Sequence, residues 1–250
     1  MAFILSLFQN RFVLLTLIAY NELARQNALA QFNPSNKSKG EIMNKKYKGI
    51  IYDIDCTLLD TFRMNMVPLQ RIIKEELNED WPIERLYHFA AYSGEMVMNE
   101  LEIEDKETVY ARWVKYVNEF EDGATPYPHV EDVLKTCKQK NIVQAIVSSK
   151  LRDQYEIDFV SKGFDQYIDV AILADDTPYQ KPNPIPVQLA IEKMNLKPDE
   201  VIYIGDSISD YKVCLNAGID FGYATWGSVS DEGIHASLVL SEPLDILELI

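Results

Sequence analysis

The feature that most constrains the fold of this chain is an alternation of short apolar runs with segments of helical period, beginning near Lys48. Apolar residues fill each run almost completely, which is typical of strands that are covered on both faces in a parallel sheet. Alternation of this kind indicates an α/β domain. The predicted strands are residues 49–54, 141–147, 167–173, 201–204, 221–225 and 237–240.

One long stretch interrupts the alternation. Residues 61–127 show no convincing strand and are too many for a loop without secondary structure. Apolar side chains recur there at helical spacing, first over 62–77 and again over 109–120. We therefore predict an α/β fold in which residues 43–60 and 128–250 form a Rossmann-like parallel sheet core, and residues 61–127 form an inserted α-helical domain.

The first 42 residues differ from the rest of the chain. They carry four basic and two acidic residues, whereas the whole chain has a formal net charge of −15. Their longest apolar run, residues 12–20, is too short to span a bilayer. We expect residues 1–42 to be an extension outside the folded core, with Met43 as the working start. A membrane-associated amphipathic helix and a cleaved signal peptide are the alternatives.

The charge and the cysteines of the chain limit its partners and its compartment. A net charge of −15 argues against nucleic acid or an anionic membrane as an electrostatic partner. A small anionic substrate stays possible, because a metal ion and a lysine can make one site locally positive. Cys56, Cys137 and Cys214 match no disulfide or zinc spacing. We expect a cytoplasmic protein without stable membrane insertion.

Four polar clusters follow predicted strands or begin predicted helices. Ligands of open parallel sheets bind beyond the carboxyl ends of the strands, so these clusters are the candidate site. Asp53 and Asp55 point the same way if the strand stays extended, and such a pair needs a cation or a proton between its carboxylates. The clusters are Asp53 with Asp55, Ser148 with Ser149, Lys181, and Asp206 with Asp210.

Taken in this order, the clusters resemble the signature motifs of the haloacid dehalogenase-like hydrolase superfamily. The resemblance covers about residues 48–240. A helical cap inserted after the first motif is similar to the phosphoglycolate phosphatase and β-phosphoglucomutase-like branch, so residues 61–127 are identified as the cap. The resemblance implies a Mg²⁺-dependent phosphatase acting on a small phosphorylated metabolite, with phosphoglycolate or a sugar phosphate as the leading substrates.

The resemblance also implies the roles of the first three clusters. Asp53 would attack phosphorus and form an aspartyl-phosphate. Asp55 would protonate the leaving oxygen and then deprotonate the water that hydrolyses the intermediate. Ser148 and Lys181 would bind phosphoryl oxygens, with Ser149 as the alternative to Ser148.

The implied metal site uses oxygen ligands, which Mg²⁺ prefers. Its residues are Asp53, Asp55 through the backbone carbonyl, Asp206 and Asp210. Asp210 lies one helical turn beyond Asp206, where it would hold a metal-bound water or orient Lys181.

Three alternative functions are open at this stage. A phosphomutase would share the core, although Thr57 is the phosphatase-like residue at a position where such mutases often carry valine. A halide-releasing dehalogenase would keep Asp53 but would not need the magnesium set. A non-catalytic binding or regulatory module would keep the fold without turnover.

Several residues depart from the family pattern or lie beside it. Cys56 stands where glycine is usual, and cysteine disfavours a positive φ, so we expect altered packing there. We expect Lys150 to be a solvated loop residue and Asp60 to cap the following helix. Six residues of the helical segment are candidates for contact with a leaving group, although solvated or packing roles fit their charge pattern better. They are Arg63, Arg85, His88, Tyr92, Ser93 and Glu95.

Overall fold

The computed structural model describes residues 45–121, 123–236 and 238–250. The predicted extension over residues 1–42 therefore lies outside the described residues. Within the described part of the chain, no helix has both the length and the apolar character needed to cross a membrane.

One six-stranded sheet forms the centre of the fold. The strands are β1 (Gly49–Tyr52), β2 (Leu59–Asp60), β3 (Thr125–Pro126), β4 (Val143–Val147), β5 (Val170–Ile172), β6 (Val201–Gly205), β7 (Asp220–Ala224) and β8 (Leu238–Leu240). The sheet order is β5–β4–β1–β6–β7–β8, and every neighbouring pair is parallel. All six predicted strands are confirmed as members of this sheet.

The central strand β1 shows why each strand is a continuous run of apolar residues in the sequence. Successive side chains of a strand point to opposite faces. Ile50 and Tyr52 pack into one hydrophobic cluster and Ile51 into another, and all three are 0% exposed. Burial of one such side chain stabilises the fold by about 1.5–3 kcal/mol. Both faces therefore need apolar residues, and no polar alternation appears in the sequence.

Helices cover both faces of the sheet. Val133 and Leu134 belong to the cluster that contains Ile50, whereas Val187 and Val213 pack into the opposite one. The α-helices are α1 (Phe62–Leu77), α2 (Gly94–Glu100), α3 (Lys106–Asn118), α4 (Val130–Gln139), α5 (Arg152–Asp158), α6 (Ile185–Met194) and α7 (Ile208–Ala217). Short 3₁₀ helices occupy Ile83–Ala91, Val160–Lys162, Phe164–Tyr167, Pro198–Glu200 and Pro243–Leu249. The predicted α/β class is confirmed.

The helical segment, defined as residues 61–127, contains α1, α2 and α3. Its two ends meet where β2 pairs antiparallel with β3, with Leu59 opposite Pro126 and Asp60 opposite Thr125. The expectation that residues 61–127 contain no strand is therefore wrong at Thr125–Pro126. A two-residue strand is too short to leave a periodic pattern, and it forms only because the fold brings both ends of the segment together.

Candidate active site

The predicted clusters converge at the carboxyl edge of the sheet. A cavity at this edge is lined by Asp53, Asp55, Ser148, Lys181 and Asp206, among other residues. The loops that carry them follow β1, β4 and β6, which are adjacent strands of the sheet, or precede α6. Parallel strands end at the same edge, so residues far apart in sequence meet there. The structure therefore brings the predicted residues into one site.

The loop after β1 makes a tight turn. The N–H groups of Thr57, Leu58 and Leu59 all donate to the carbonyl of Ile54, at 3.2, 2.9 and 3.0 Å. Within this turn Cys56 has a φ of 57°, in the left-handed region. The expectation that cysteine would avoid a positive φ here is wrong. The left-handed conformation costs roughly 1–2 kcal/mol, and the hydrogen bonds of the turn offset that cost.

A second loop holds this turn from the other side. The indole Nε1 of Trp226 donates to the carbonyl of Thr57 at 2.8 Å. Gly227 lies so close that a Cβ atom there would be 1.8 Å from the carbonyl oxygen of Cys56. Only glycine permits this contact, so tertiary packing holds the turn that carries Asp53 and Asp55.

Lys181 occupies the centre of a buried charge cluster. Its Nζ lies 3.0 Å from Oδ2 of Asp53 and 2.7 Å from Oδ1 of Asp210, and the side chain is only 6% exposed. Burial lowers the pKa of Lys181, but the carboxylates of Asp210 and Asp53 outweigh burial and raise the pKa above its ordinary value. The amine is therefore a fixed cation beside Asp53.

Asp210 is held by the protein through both of its oxygens. Its Oδ1 accepts from Lys181 Nζ and from the hydroxyl of Tyr203 at 3.0 Å. Its Oδ2 accepts from the backbone N–H and the hydroxyl of Ser207, at 3.1 and 2.6 Å. A Cβ atom on Gly205 would lie 2.6 Å from the Asp210 carboxyl carbon, so glycine makes room for this arrangement. Asp210 thereby fixes the position of Lys181.

Asp53, Asp206 and Asp210 form a buried group whose oxygens lie within 4.8 Å of one another. Burial is the main cause that raises the pKa of Asp53 to about 7; Lys181 opposes the shift, and Asp210 and Asp55 add to it. Burial, then Asp210 and Asp53, raise the pKa of Asp206 well above its usual range. Such a group of acids suits a divalent cation, because the cation would offset the repulsion between carboxylates.

An unpaired polar atom supports the same fit. Oδ1 of Asp53 is buried and has no hydrogen-bond partner among the described residues. Asp206 accepts a hydrogen bond from the hydroxyl of Thr57 at 2.9 Å. A buried carboxylate oxygen without a partner is costly, and the donor set consists of hard oxygen atoms, which Mg²⁺ prefers. The residues present therefore fit a Mg²⁺ ion.

Ser148 lies directly after β4 and lines the cavity. Its side chain is buried, and its Oγ accepts from the backbone N–H of Lys150 at 3.3 Å. Ser149 also lines the cavity but is exposed. Both serines therefore line the same cavity as Asp53. Ser148 and its predicted alternative Ser149 are both close enough to the site to be candidates for binding phosphate.

Lys150 corrects a prediction made from the sequence. The expected solvated side chain is instead 5% exposed, with Nζ 3.0 Å from Oδ1 of Asp55 and 2.6 Å from Oδ2 of Asp158. Gln154 donates to the same Asp158 oxygen at 2.9 Å. Burial lowers the pKa of Lys150, but Asp55 and Asp158 raise it more. The position of Lys150 two residues after Ser148, in the loop beyond β4, indicates that it lies near the site, but it does not identify the acids that the amine contacts.

The helical segment forms the opposite side of the cavity. Of the six candidates named from the sequence, Tyr92 and Ser93 line the cavity, and Arg63, Arg85, His88 and Glu95 do not. Sequence reasoning missed Asn65 and Tyr110, and it treated Trp113 only as a position of a helical apolar pattern, although all three line the cavity. These residue types are common inside any helical domain, so no sequence signal separated them.

The expected capping role of Asp60 is wrong. Asp60 is an exposed residue of β2, and the N-cap of α1 is Thr61, which makes no side-chain capping bond. The pairing of β2 with β3 holds the backbone of Asp60 in an extended strand.

Known proteins resemble this chain in sequence and in fold. The sequence matches the family described as haloacid dehalogenase-like hydrolase over residues 50–224. Pyrophosphatase PpaX of Oceanobacillus iheyensis is 24% identical over 206 residues, which cover 80% of this chain and 95% of that protein. A phosphoglycolate phosphatase of Aquifex aeolicus is 26% identical over 204 residues, covering 80% and 95% of the two chains.

Solved structures show the same architecture. A Lactobacillus plantarum protein, provisionally assigned as a phosphoglycolate phosphatase, superposes with a TM-score of 0.76 at 28% identity. The superposition covers 82% of this chain and 100% of that one. The family match extends over more than half of the chain, and the named relatives are phosphatases. The chain therefore belongs to the haloacid dehalogenase-like hydrolase family, in which it is a phosphatase.

Proposed function

We propose that this phosphatase requires Mg²⁺ and hydrolyses a small organophosphate, of the phosphoglycolate or sugar phosphate type, through an aspartyl-phosphate on Asp53. The observation that carries the proposal is the buried carboxylate of Asp53, which lines the cavity, contacts Lys181 and has the acids Asp206 and Asp210 close by. A nucleophile, a fixed cation and a set of metal ligands are thereby combined in one place.

Asp53, Asp206 and the backbone carbonyl of Asp55 would hold the Mg²⁺ ion, with Asp210 as the further acid of the group. When bound, the ion offsets the charge of the carboxylates and of the phosphoryl group. The hydrogen bonds that occupy both oxygens of Asp210 favour its alternative role, which is to orient Lys181.

In the first half-reaction, a carboxylate oxygen of Asp53 attacks phosphorus, and the bond between phosphorus and the ester oxygen breaks. Asp55 gives its proton to that leaving oxygen, so an alcohol departs. Lys181 and the hydroxyl of Ser148 stabilise the charge on the phosphoryl oxygens in the transition state.

In the second half-reaction, Asp55 takes a proton from water, and the water oxygen attacks the phosphorus of the aspartyl-phosphate. The bond between phosphorus and the Asp53 oxygen then breaks and releases inorganic phosphate. Asp55 ends the cycle protonated and Asp53 ends it as a carboxylate, so both are ready for the next ester.

The test is an assay of the purified full-length chain with p-nitrophenyl phosphate. We expect hydrolysis in Mg²⁺, loss of activity on chelation and recovery when Mg²⁺ is restored. Stoichiometric release of inorganic phosphate separates hydrolysis from a phosphomutase, which returns the phosphate to its product. Turnover that persists in excess chelator would refute the metal dependence.

We further propose that residues 61–127 act as a cap on a core formed by residues 43–60 and 128–250, and that residues 1–42 are peripheral to catalysis. Contact of the helical segment with the cavity supports the first part. Deletion of residues 1–42 should leave the specific activity unchanged.

We also propose a cytoplasmic location, because all three cysteines are free thiols.

A further inference from the structure

One side of the cavity is formed by residues of the helical segment. We call this side the helical wall. Among the described residues, none of its members carries a formal charge. The helical wall consists of Asn65, Met66, Phe89, Ala90, Tyr92, Ser93, Gly94, Tyr110, Trp113, Val114 and Val117.

The helical segment contains cationic side chains, but the described ones lie outside the cavity. None of the described arginines, lysines or histidines of residues 61–127 lines the cavity. Arg63 is exposed, and Arg85 stacks over the ring of Trp81, 3.4 Å from its centroid. Most of the others pair with acids on the outer surface: Arg71 with Glu75, Lys74 with Asp80, His88 with Glu100, Arg112 with Glu76 and Lys115 with Glu119.

The two lysines that do line the cavity come from the loops that follow β4 and precede α6, and both already contact acids. Lys181 lies between Asp53 and Asp210, at 3.0 and 2.7 Å. Lys150 lies between Asp55 and Asp158, at 3.0 and 2.6 Å. Each of these amines already contacts two acidic side chains, so neither is a free cation for a second anionic group.

The helical wall also disfavours a second anionic group in the cavity. A second anionic group that enters the cavity exchanges its water shell for the helical wall. Among the described residues, the helical wall supplies no cation to compensate for that lost hydration.

The helical wall instead offers groups that suit an uncharged partner. The hydroxyls of Tyr92, Ser93 and Tyr110 can exchange hydrogen bonds with alcohol groups. The rings of Phe89 and Trp113 provide apolar surface against which a sugar or aromatic ring can pack. This combination of rings with a few polar groups is typical of a site for a neutral small molecule.

We propose that the substrate is a phosphate monoester of an uncharged alcohol that bears hydroxyl groups or a ring, and that esters with an anionic leaving group are disfavoured. This inference rests on the proposed phosphatase function and narrows it. It favours a sugar phosphate over phosphoglycolate, and it separates this chain from a pyrophosphatase, whose leaving group is an anion.

The decisive experiment compares two esters of similar size in Mg²⁺ with the full-length chain. They are 2-phosphoglycolate and 2-hydroxyethyl phosphate, which differ by a carboxylate in place of a hydroxymethyl group. We expect kcat/KM to be at least about tenfold higher for the hydroxyethyl ester. Pyrophosphate should also be a poor substrate. Equal or faster turnover of phosphoglycolate or pyrophosphate overturns the proposal.

Failure of the narrower inference is distinguishable from failure of the proposed function. Hydrolysis of p-nitrophenyl phosphate and phosphoglycolate without the hydroxyethyl ester refutes the preference and leaves the phosphatase intact. Absence of turnover on every ester, including p-nitrophenyl phosphate, refutes the proposed function and the preference with it.

A charge introduced into the helical wall provides a second test. Asn65→Lys places a cation on α1, and Asn65→Met is the matched control of similar length without charge. We expect Asn65→Lys to raise kcat/KM for phosphoglycolate relative to the hydroxyethyl ester by at least about fivefold, and Asn65→Met to leave the ratio unchanged. An unchanged ratio in Asn65→Lys, or an equal rise in both variants, contradicts the inference.

Discussion

The two sides of the cavity are built in different ways. The side beyond the strand ends carries buried charge, and Asp53, Lys150 and Lys181 each contact at least one group of opposite charge within 3.0 Å. The helical wall carries no formal charge and contributes isolated hydroxyls and rings. We therefore propose that reaction type and substrate preference are set by separate parts of the chain. A substitution in the charged side should disturb chemistry, and one in the helical wall should change preference.

The largest effect is expected for Asp53→Asn, which removes the proposed nucleophile from the charged side. We expect kcat for p-nitrophenyl phosphate to fall by at least about 10⁴-fold, because an amide cannot form the acyl phosphate. Circular dichroism should show an intact fold. The matched control is Asp169→Asn, at a surface residue that pairs with Lys138. Activity within about tenfold of the wild type in Asp53→Asn would exclude Asp53 as the nucleophile.

Lys150→Met tests whether the second buried lysine supports the charged side. Removal of the amine leaves Asp158, whose side chain is 5% exposed, without its cation. Breaking a buried pair in this way costs about 3–5 kcal/mol in the free energy of unfolding. Activity should also fall, because Asp55 loses the contact that orients it. Urea unfolding measures the stability change.

The control for this variant is Lys138→Met, which breaks an ion pair on the surface. The side chains of Lys138 and Asp169 are 43% and 35% exposed, so the loss should be at most about 1 kcal/mol. Equal losses in the two variants would contradict the buried role of Lys150.

The third prediction concerns the pKa of Asp53 at the proposed metal site. In the metal-free protein, burial raises the pKa of Asp53 to about 7, whereas the unfolded chain releases this proton near pH 4. The folded form therefore binds the extra proton between about pH 4 and 7, and this contribution to stability declines as pH rises through that window. Mg²⁺ needs the ionised carboxylate, so its affinity should rise about tenfold per pH unit up to pH 7 for each proton released.

Thermal unfolding with and without Mg²⁺ measures this linkage. The Mg²⁺-induced rise in Tm should be larger at pH 8 than at pH 5.5, with NaCl at equal ionic strength as the control. The dependence should weaken in Asp53→Asn. A rise in Tm that is the same at both pH values would contradict a raised pKa of Asp53 at the proposed metal site.

The smallest effect is expected in the helical wall. Tyr110→Phe removes one hydroxyl and keeps the ring that packs against Gly94. We expect a loss of about two- to tenfold in kcat/KM for the preferred ester, the size of one neutral hydrogen bond, with little change for p-nitrophenyl phosphate. Tyr116→Phe is the control, because the hydroxyl of Tyr116 contacts Glu75 on the outer surface. A loss of 10³-fold in Tyr110→Phe would show that the helical wall takes part in the chemistry.

Much of the fold and of the charged side is readable in the sequence. A strand buried on both faces must be apolar throughout, so each strand of the sheet appears in the sequence as a short run of apolar residues. Polar residues that directly follow such a strand must lie at the edge of the sheet, which locates Asp53, Ser148 and Asp206. These inferences need only the period of a strand and the common direction of parallel strands.

Tertiary structure alone decided the environment of other residues. The sequence around Lys150 gives no sign that Asp158 and Asp55 enclose its amine, because these residues meet only after β1, β4 and α5 have packed. The left-handed φ of Cys56 opposes the preference of its side chain, and Trp226 and Gly227, far along the chain, pack against the turn that adopts it. The conformational preference of a residue depends on its neighbours in sequence, so it contains no information about a contact with a distant residue.

The sequence by itself determined a parallel α/β core and the acids and lysine that meet at its edge, because strand burial and strand direction are local properties with a regular period. Only the tertiary structure decided which residues face the cavity from the helical segment. The sequence pattern around a tyrosine or an asparagine on an amphipathic helix is the same whether the side chain faces solvent, core or substrate. Tyr110 and Asn65, which line the cavity, are examples. The absence of charge from the helical wall is a property of the assembled surface, and no single stretch of sequence contains it.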